Sequence, residues 1–585
     1  MLKSASHRLI LAGVALAALA AGHAQASAPV PAVARRDVAD LGRAPSDMQV
    51  RVLILLAYRD RPGLEALVTA QATPGSPLYH HFLTPEMFTA RFAATEEAAG
   101  RVLDSLRRAG FASAELSSNR TLIEATGSAA VASAYFRTDI HMVAQRGHGT
   151  RYANLTPGVV PEEIAGDVGA LLGLDNLVKF HVHNRKAAIS RPDFQHSDTP
   201  RAAPASAPIE RTVGGSFAGI YPAGLAAAYH YPSLSGDAGK GHAIGIVIDS
   251  DIANSDLATF WSAAGITRTG SFKRVLVDGK NPGINADVGE TAIDTEMTSS
   301  LAPAANIYVY LVSSLGDADI EKAYNMAVTA KNLDVLSSSF GGCELDDTPF
   351  ATATDAIAAQ GAAIGLTFTA SSGDSGGYCN NGAGLETDIV STPAADPHFV
   401  AVGGTTLKIN ATTGARLAET AWGPGGNNGG GGGGVSSFFA VPSYQSGITG
   451  IAVVPTIKAT PQPKSGFAGR NVPDISLDAS NGGSSYVAIY GTPDGGWTGY
   501  GGTSVSSPCF AALLAERNQL LGSKSGYYNP TLYSNYTSNG ANPGGTYNKT
   551  EFHDITGGSI GAGWKAKTGF DQATGIGSFW NASFQ

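Results

Sequence analysis

Ser504 stands in the stretch Gly501-Gly502-Thr503-Ser504-Val505-Ser506-Ser507-Pro508, where small residues lead into an apolar run of helical period. That places its hydroxyl near a helix N-terminus, where backbone N–H groups and the helix dipole favour a developing negative charge. Such a hydroxyl is a nucleophile if a base stands beside it. Otherwise it caps the helix, a task that Ser506 or Ser507 would do equally well. Histidine is the usual base, and His148-Gly149-Thr150 has a suitable look, but it lies in a loop-like segment far ahead of the rest. His230, His242, His398 and His553 have no such context and read as ordinary core or surface histidines. Carboxylates offer the alternative. Glu290 and Asp294 are four apart in a helical pattern, so they share one helix face. Two acids so placed cannot both ionise cheaply; they share a proton and their pKa values separate, as an acid/base pair requires. The other reading is a solvated acidic surface, against which Thr291, Ala292, Ile293 and Ala302 make the face unusually apolar. Asp374 completes the set, at the end of a strand in Ser371-Ser372-Gly373-Asp374-Ser375-Gly376. Ligands of open parallel sheets bind at that edge, although an Asx-turn would also place an aspartate there.

These residues need a scaffold. From 243 onward apolar strands alternate with helices: strands over 243–248, 305–312, 333–338 and 362–369, with helices near 287–301, 317–330 and 350–360. The alternation predicts an α/β domain with a mostly parallel sheet covered on both faces. Residues 423–434 are mostly glycine and read as a flexible loop. Ahead of this, 47–184 reads as a small α+β unit, with strands near 49–56, 121–125 and 139–143, helices near 64–70 and 96–109, and a turn-rich connection over 76–85. A polar Pro/Ala/Ser-rich stretch over 186–213 reads as a linker.

The 585 residues exceed one compact domain. Residues 1–210 hold 21 Lys+Arg against 19 Asp+Glu, whereas 211–585 hold 18 against 29. With no basic stripe, nucleic acid is not an expected partner. Lys3, His7 and Arg8, an apolar run over 9–21 and then Ala24-Gln25-Ala26 have the layout of an export signal cleaved after Ala26. No second apolar run follows, so no membrane partner is expected after its removal. Three cysteines, Cys343, Cys379 and Cys509, allow one bridge and one thiol.

Taken in order, Glu-x-x-x-Asp at 290–294, Ser-Gly-Asp-Ser-Gly around Asp374 and Gly-Thr-Ser-x-x-x-Pro around Ser504 resemble the sedolisin family of serine-carboxyl peptidases. So do Thr392-Pro393-Ala394-Ala395-Asp396-Pro397, Arg470-Asn471-Val472-Pro473-Asp474, Trp497-Thr498-Gly499-Tyr500 and 431–438, and the unit over 47–184 resembles the activation prodomain. The resemblance implies a subtilisin-like catalytic domain over 214–585, a ferredoxin-like prodomain over 27–185, a signal over 1–26 and a processing site in the linker over 186–213. Ser504 would be the nucleophile, Glu290 its base, Asp294 the partner of Glu290, and protonated Asp374 the oxyanion donor. A carboxyl group donates only when protonated, so activity should peak below neutrality. The resemblance also implies one structural Ca²⁺ held by the carboxylates of Asp554 and Asp571 and the carbonyls of Ile555, Lys567 and Gly569, and a Cys343–Cys379 bridge with Cys509 free and buried. Phe340 stands where the family often has tryptophan, and Asp249 where some relatives place a further glutamate. The expectation is a secreted or periplasmic, monomeric, self-processing acid endopeptidase that cleaves proteins and peptides and is blocked by its own prodomain. The alternative is a catalytically silent relative that binds peptides.

Overall fold

A computed structural model describes residues 37–187, 209–213, 217–232, 236–380, 385–455, 465–482, 485–538 and 551–579. The export signal expected at 1–26 and residues 188–208 of the expected linker lie outside them.

The N-terminal unit holds a four-stranded antiparallel sheet in the order Ser113–Leu116, Leu122–Ser128, Gln49–Leu56, Val168–Leu172. Its central strand alternates between two cores because successive side chains face opposite ways. Val50, Val52, Ile54 and Leu56 pack with Val102 and Leu106 of the helix Glu96–Ala109. Leu53 and Leu55 instead join Tyr324, Phe350 and Ile357 of the larger domain. Ion pairs rim this second core: Arg51 with Asp319 at 2.5 Å, Arg61 with Asp355 at 2.8 Å and Lys179 with Asp347 at 2.8 Å.

The larger domain is organised on β1 (Ala243–Ile248), β2 (Phe272–Leu276), β3 (Asn306–Leu311), β4 (Val335–Ser338), β5 (Thr367–Ser371), β6 (Phe399–Ile409), β7 (Arg416–Ala421) and β8 (Ile475–Asp478). They form one sheet in the order β2-β3-β1-β4-β5-β6-β7, with β8 also pairing β6. Every pairing is parallel except β6 with β7. The helices α1 (Val288–Leu301), α2 (Asp317–Thr329) and α3 (Thr348–Ala363) connect consecutive strands, as right-handed crossovers of a parallel sheet require. A further strand, β9 (Gly496–Gly501), leads into α4 (Thr503–Leu521), which packs on α1 and under β4, β5, β6 and β8.

Two sequence expectations need correction. The fourth strand begins at Thr367 rather than 362, because Ala362 and Ala363 close α3; an alanine-rich run has no period to separate helix from strand. The glycines at 423–434 are not a loose loop. A Cβ on Gly431 would lie 2.7 Å from the Gly404 nitrogen, and one on Gly432 would lie 1.9 Å from the Ser372 carbonyl oxygen. These glycines let three backbones approach one another directly beneath the Asp374 turn. The expected disulfide is present between Cys343 and Cys379, and Cys509 is free and buried.

The core also contains carboxyl groups that no cationic side chain pairs among the described residues. Glu296 accepts from the Tyr490 N–H (3.1 Å), Glu321 from the Thr354 hydroxyl, and Asp478 from backbone N–H groups, Leu407 among them (3.2 Å). Burial pushes the pKa of all three well above the usual carboxylate range. A raised folded-state pKa gives stability that is complete below the unfolded value and is lost as pH rises toward the folded one. Melting of the Ser504→Ala protein, which removes self-digestion, should therefore give a Tm about 5–10 °C higher at pH 4 than at pH 8. A flat or rising Tm would contradict neutral carboxyls in the core.

Candidate active site

Gly502 turns the chain from β9 into α4 at φ +118°, a conformation that suits glycine. The turn puts Ser504 in the first helical turn, fully buried, with its N–H facing outward from the helix end. Glu290 and Asp294 come from α1, a helix buried along its whole length because α4 covers one side and the sheet another. Asp374 follows β5 at the carboxyl edge of the sheet. The structure thus brings together all four residues singled out from the sequence.

Ser504 Oγ donates to the Ser339 carbonyl oxygen (3.1 Å), with Glu290 beside it and the Glu290 Oε1 atom taking no hydrogen bond among the described residues. A turn about the Ser504 side-chain torsion would exchange one acceptor for the other. Glu290 Oε2 accepts from Asn184 Nδ2 at 2.7 Å, and Asp294 Oδ1 accepts from Ser339 Oγ at 2.6 Å. Burial raises the pKa of Glu290 first, the charge of Asp294 adds to it, and the neighbouring Ser504 hydroxyl and the Asn184 hydrogen bond oppose it. Burial raises Asp294 too, against the Ser339 hydrogen bond. The pair holds one proton more readily than two isolated acids would. Asp374 Oδ1 accepts from the N–H (2.8 Å) and hydroxyl (2.9 Å) of Thr503, while its Oδ2 is buried with no hydrogen-bond partner among the described residues. Burial lifts Asp374 to about 7, with the Thr503 hydrogen bonds and Arg185 opposing. Below that pH the carboxyl group is a neutral donor.

The space between these groups is occupied by the chain itself. His181–Val182 pairs antiparallel with the strand Phe340–Cys343, and Arg185–Lys186 pairs antiparallel with β9. Between them the His183 N–H donates to the Ser339 carbonyl (3.0 Å), and the His183 carbonyl accepts from the Ser504 N–H (3.1 Å). A methyl on Gly502 would lie 2.2 Å from that carbonyl oxygen and 2.7 Å from Asp374 Oδ2, so the two oxygens border one small space. The Ser504 N–H donates to that carbonyl from one side, and the Asp374 carboxyl group borders the same space.

Asp249 does not extend the Glu290–Asp294 pair. It faces Asp287, the residue preceding α1, and burial, with the charge of Asp287 adding to it, raises its pKa to about 7. Phe340 is fully buried and packs in the apolar core shared with the N-terminal unit. Sequence reasoning missed Asn184 and Ser339, the partners of the two acids. Ser339 directly precedes Phe340, which the sequence had marked, and Asn184 falls at the expected end of the prodomain.

Of the expected calcium ligands, Asp554 lies against Gly569 and Asp571 against Lys567. Asp554 accepts from Gly569 N–H at 3.1 Å, and Asp571 accepts from the N–H groups of Lys567, Ala573 and Thr574 at 2.8–2.9 Å. Neither carboxylate has an ion pair among the described residues, and burial raises both, Asp571 to about 6. Carboxylate oxygens and backbone carbonyls are the donor types that Ca²⁺ takes.

Fold and site together place the larger domain in the subtilisin-like class, and residues 280–551 match the subtilase family. Residues 36–177 match the pro-kumamolisin activation domain. Sedolisin of Pseudomonas sp. (strain 101) is 30% identical over 93% of this chain and 88% of its own. Xanthomonalisin of Xanthomonas sp. (strain T-22) is 30% identical over 91% of this chain, which spans 65% of that relative's length. A solved structure of Pseudomonas sedolisin, a serine-carboxyl proteinase complexed with two molecules of pseudo-iodotyrostatin, superposes with a TM-score of 0.52 at 29% identity, covering 63% of this chain and 97% of the other. The chain belongs to the sedolisin family, with an activation prodomain joined to a catalytic domain.

Proposed function

We propose that this chain is an exported zymogen of an acid-active serine-carboxyl endopeptidase that cleaves itself at the His183–Asn184 bond. The observation that carries the reading is the His183 carbonyl held by the Ser504 N–H beside Asp374, with strand pairing on either side of the bond. In this reading Ser504 Oγ attacks the carbonyl carbon while Glu290 takes its proton, and Asp294 steadies the resulting carboxyl pair. Ser504 N–H and protonated Asp374 hold the oxyanion. Glu290 then returns the proton to the departing amide nitrogen, leaving an acyl-enzyme that water hydrolyses by the same groups in reverse. The base works ionised and Asp374 works protonated, so the rate should fall on the acid side as Glu290 takes a proton and on the alkaline side as Asp374 loses its own near 7.

Acidifying purified precursor to about pH 4, where carboxyl groups begin to hold protons, should release a fragment ending at His183 and a protein beginning at Asn184, read by mass spectrometry and N-terminal sequencing. Cleavage elsewhere as the first event would remove the register from this account; no cleavage at any acid pH would remove the peptidase reading.

Asp554 and Asp571, with the carbonyls of Ile555, Lys567 and Gly569, would hold the ion, and calcium, when bound, would supply a fixed positive charge that ties the C-terminal segment to its neighbours. Chelation should lower the Tm of the mature domain by about 5–10 °C, the size expected for losing a ligand held at a hundredfold excess over its Kd. An unchanged Tm would argue against a structural ion. The N-terminal layout supports export, and among the described residues no helix is long and apolar enough to cross a membrane.

A further inference from the structure

The His183 side chain enters a pocket of its own, and we infer that Ser371 makes this pocket selective for a hydrogen-bonding side chain on the N-terminal side of the scissile bond. The inference rests on the peptidase reading and names its substrate preference. His183 is 2% exposed, and its Nδ1 lies 2.8 Å from Ser371 Oγ at the end of β5. Ser371 Oγ is itself fully buried and 3.4 Å from the Ser338 carbonyl, which it can use as an acceptor while meeting the ring nitrogen. The walls are close. A Cβ on Gly341 would lie 2.6 Å from the His183 Cε1 atom, so the absence of a side chain there admits a five-membered ring. Two residues upstream in the same cleft segment, the His181 ring stands edge-on to that of His183 at 5.5 Å.

A buried hydroxyl is costly to leave without a partner, and a pocket built around one discriminates against side chains that cannot answer it. Ser338 satisfies Ser371 only at long range, so an apolar occupant leaves this hydroxyl weakly bonded in a dry pocket. Histidine returns a hydrogen bond of good length, and glutamine or asparagine can do the same. Leucine and phenylalanine cannot. The same chemistry explains why the chain's own cleft segment carries histidine at this place.

The test is a set of peptides identical except for histidine, glutamine, leucine or phenylalanine at this position, cleaved by the mature enzyme and by Ser371→Ala. The readout is the ratio of kcat/KM for histidine over leucine, not the absolute rate. The ratio should favour histidine in the native enzyme and fall by about three- to tenfold in Ser371→Ala, the range for one hydrogen bond. Ser371→Thr, which keeps the hydroxyl, should restore most of the ratio. An equal ratio in native enzyme and Ser371→Ala overturns the inference, as does a native preference for leucine. Failure of the native enzyme to cut any of the four peptides would instead bring down the peptidase reading.

Discussion

Ser504→Ala precursor should stay full length through prolonged acidification, and protein-cleaving activity should fall by about 10⁴–10⁶-fold, as when the nucleophile of a serine peptidase is removed. The size follows from how few alternatives the site contains. Ser506 Oγ bonds back to the Thr503 carbonyl inside the helix (2.9 Å), and Ser507 Oγ meets Ser337 (3.1 Å) and Thr369 (3.2 Å) beneath the sheet. Neither borders the His183 carbonyl. The substitution deletes one buried oxygen at a helix start whose N–H group remains, so folding and strand pairing of the cleft segment should persist. Persistent cleavage at His183–Asn184 by the purified variant would require a different nucleophile and end the serine mechanism.

Asp374→Asn and Asp374→Ala should part company as pH rises. Alanine removes a donor at every pH and should lower kcat by about 10²–10³-fold, the usual cost of one oxyanion contact. Asparagine keeps a neutral donor that cannot ionise. In the native enzyme the Asp374 proton is present below about 7 and leaves as pH passes that value, taking the donor with it. The asparagine variant should therefore lose activity at higher pH than the native enzyme, through whichever group next ionises. Profiles of log kcat against pH for the three proteins make the comparison. Coincident alkaline limbs for native and Asp374→Asn would show that another group governs that limb.

The regular pieces of this fold were readable because their periods were clean. Ala243–Ile248 is a strand at the residues expected, and the helices carrying Glu290 and following β3 begin within one residue of their expected starts. The four site residues could be singled out because each sits in a short motif of unusual composition, and the fold then brought them to one place. The 362–369 strand misled because alanine fits helix and strand alike. The glycine run misled for a related reason: composition reports freedom in the unfolded chain, whereas what matters at Gly431 and Gly432 is the missing side chain that lets neighbouring backbones close. Asn184, Ser339 and Ser371 were out of reach because the contacts they make join residues from 45 to 188 positions apart, which no local pattern encodes.

Cutting the His183–Asn184 bond would not by itself empty the cleft. The upstream piece remains zipped to Phe340–Cys343 and anchored by a domain that buries Leu53 and Leu55 in its partner's core, while the downstream piece stays laced to β9. The first turnover therefore yields a nicked complex in which the enzyme is plugged by its own product. Onset of activity toward other proteins would be governed by eviction rather than by chemistry, and the lag would shorten when the nicked material is diluted.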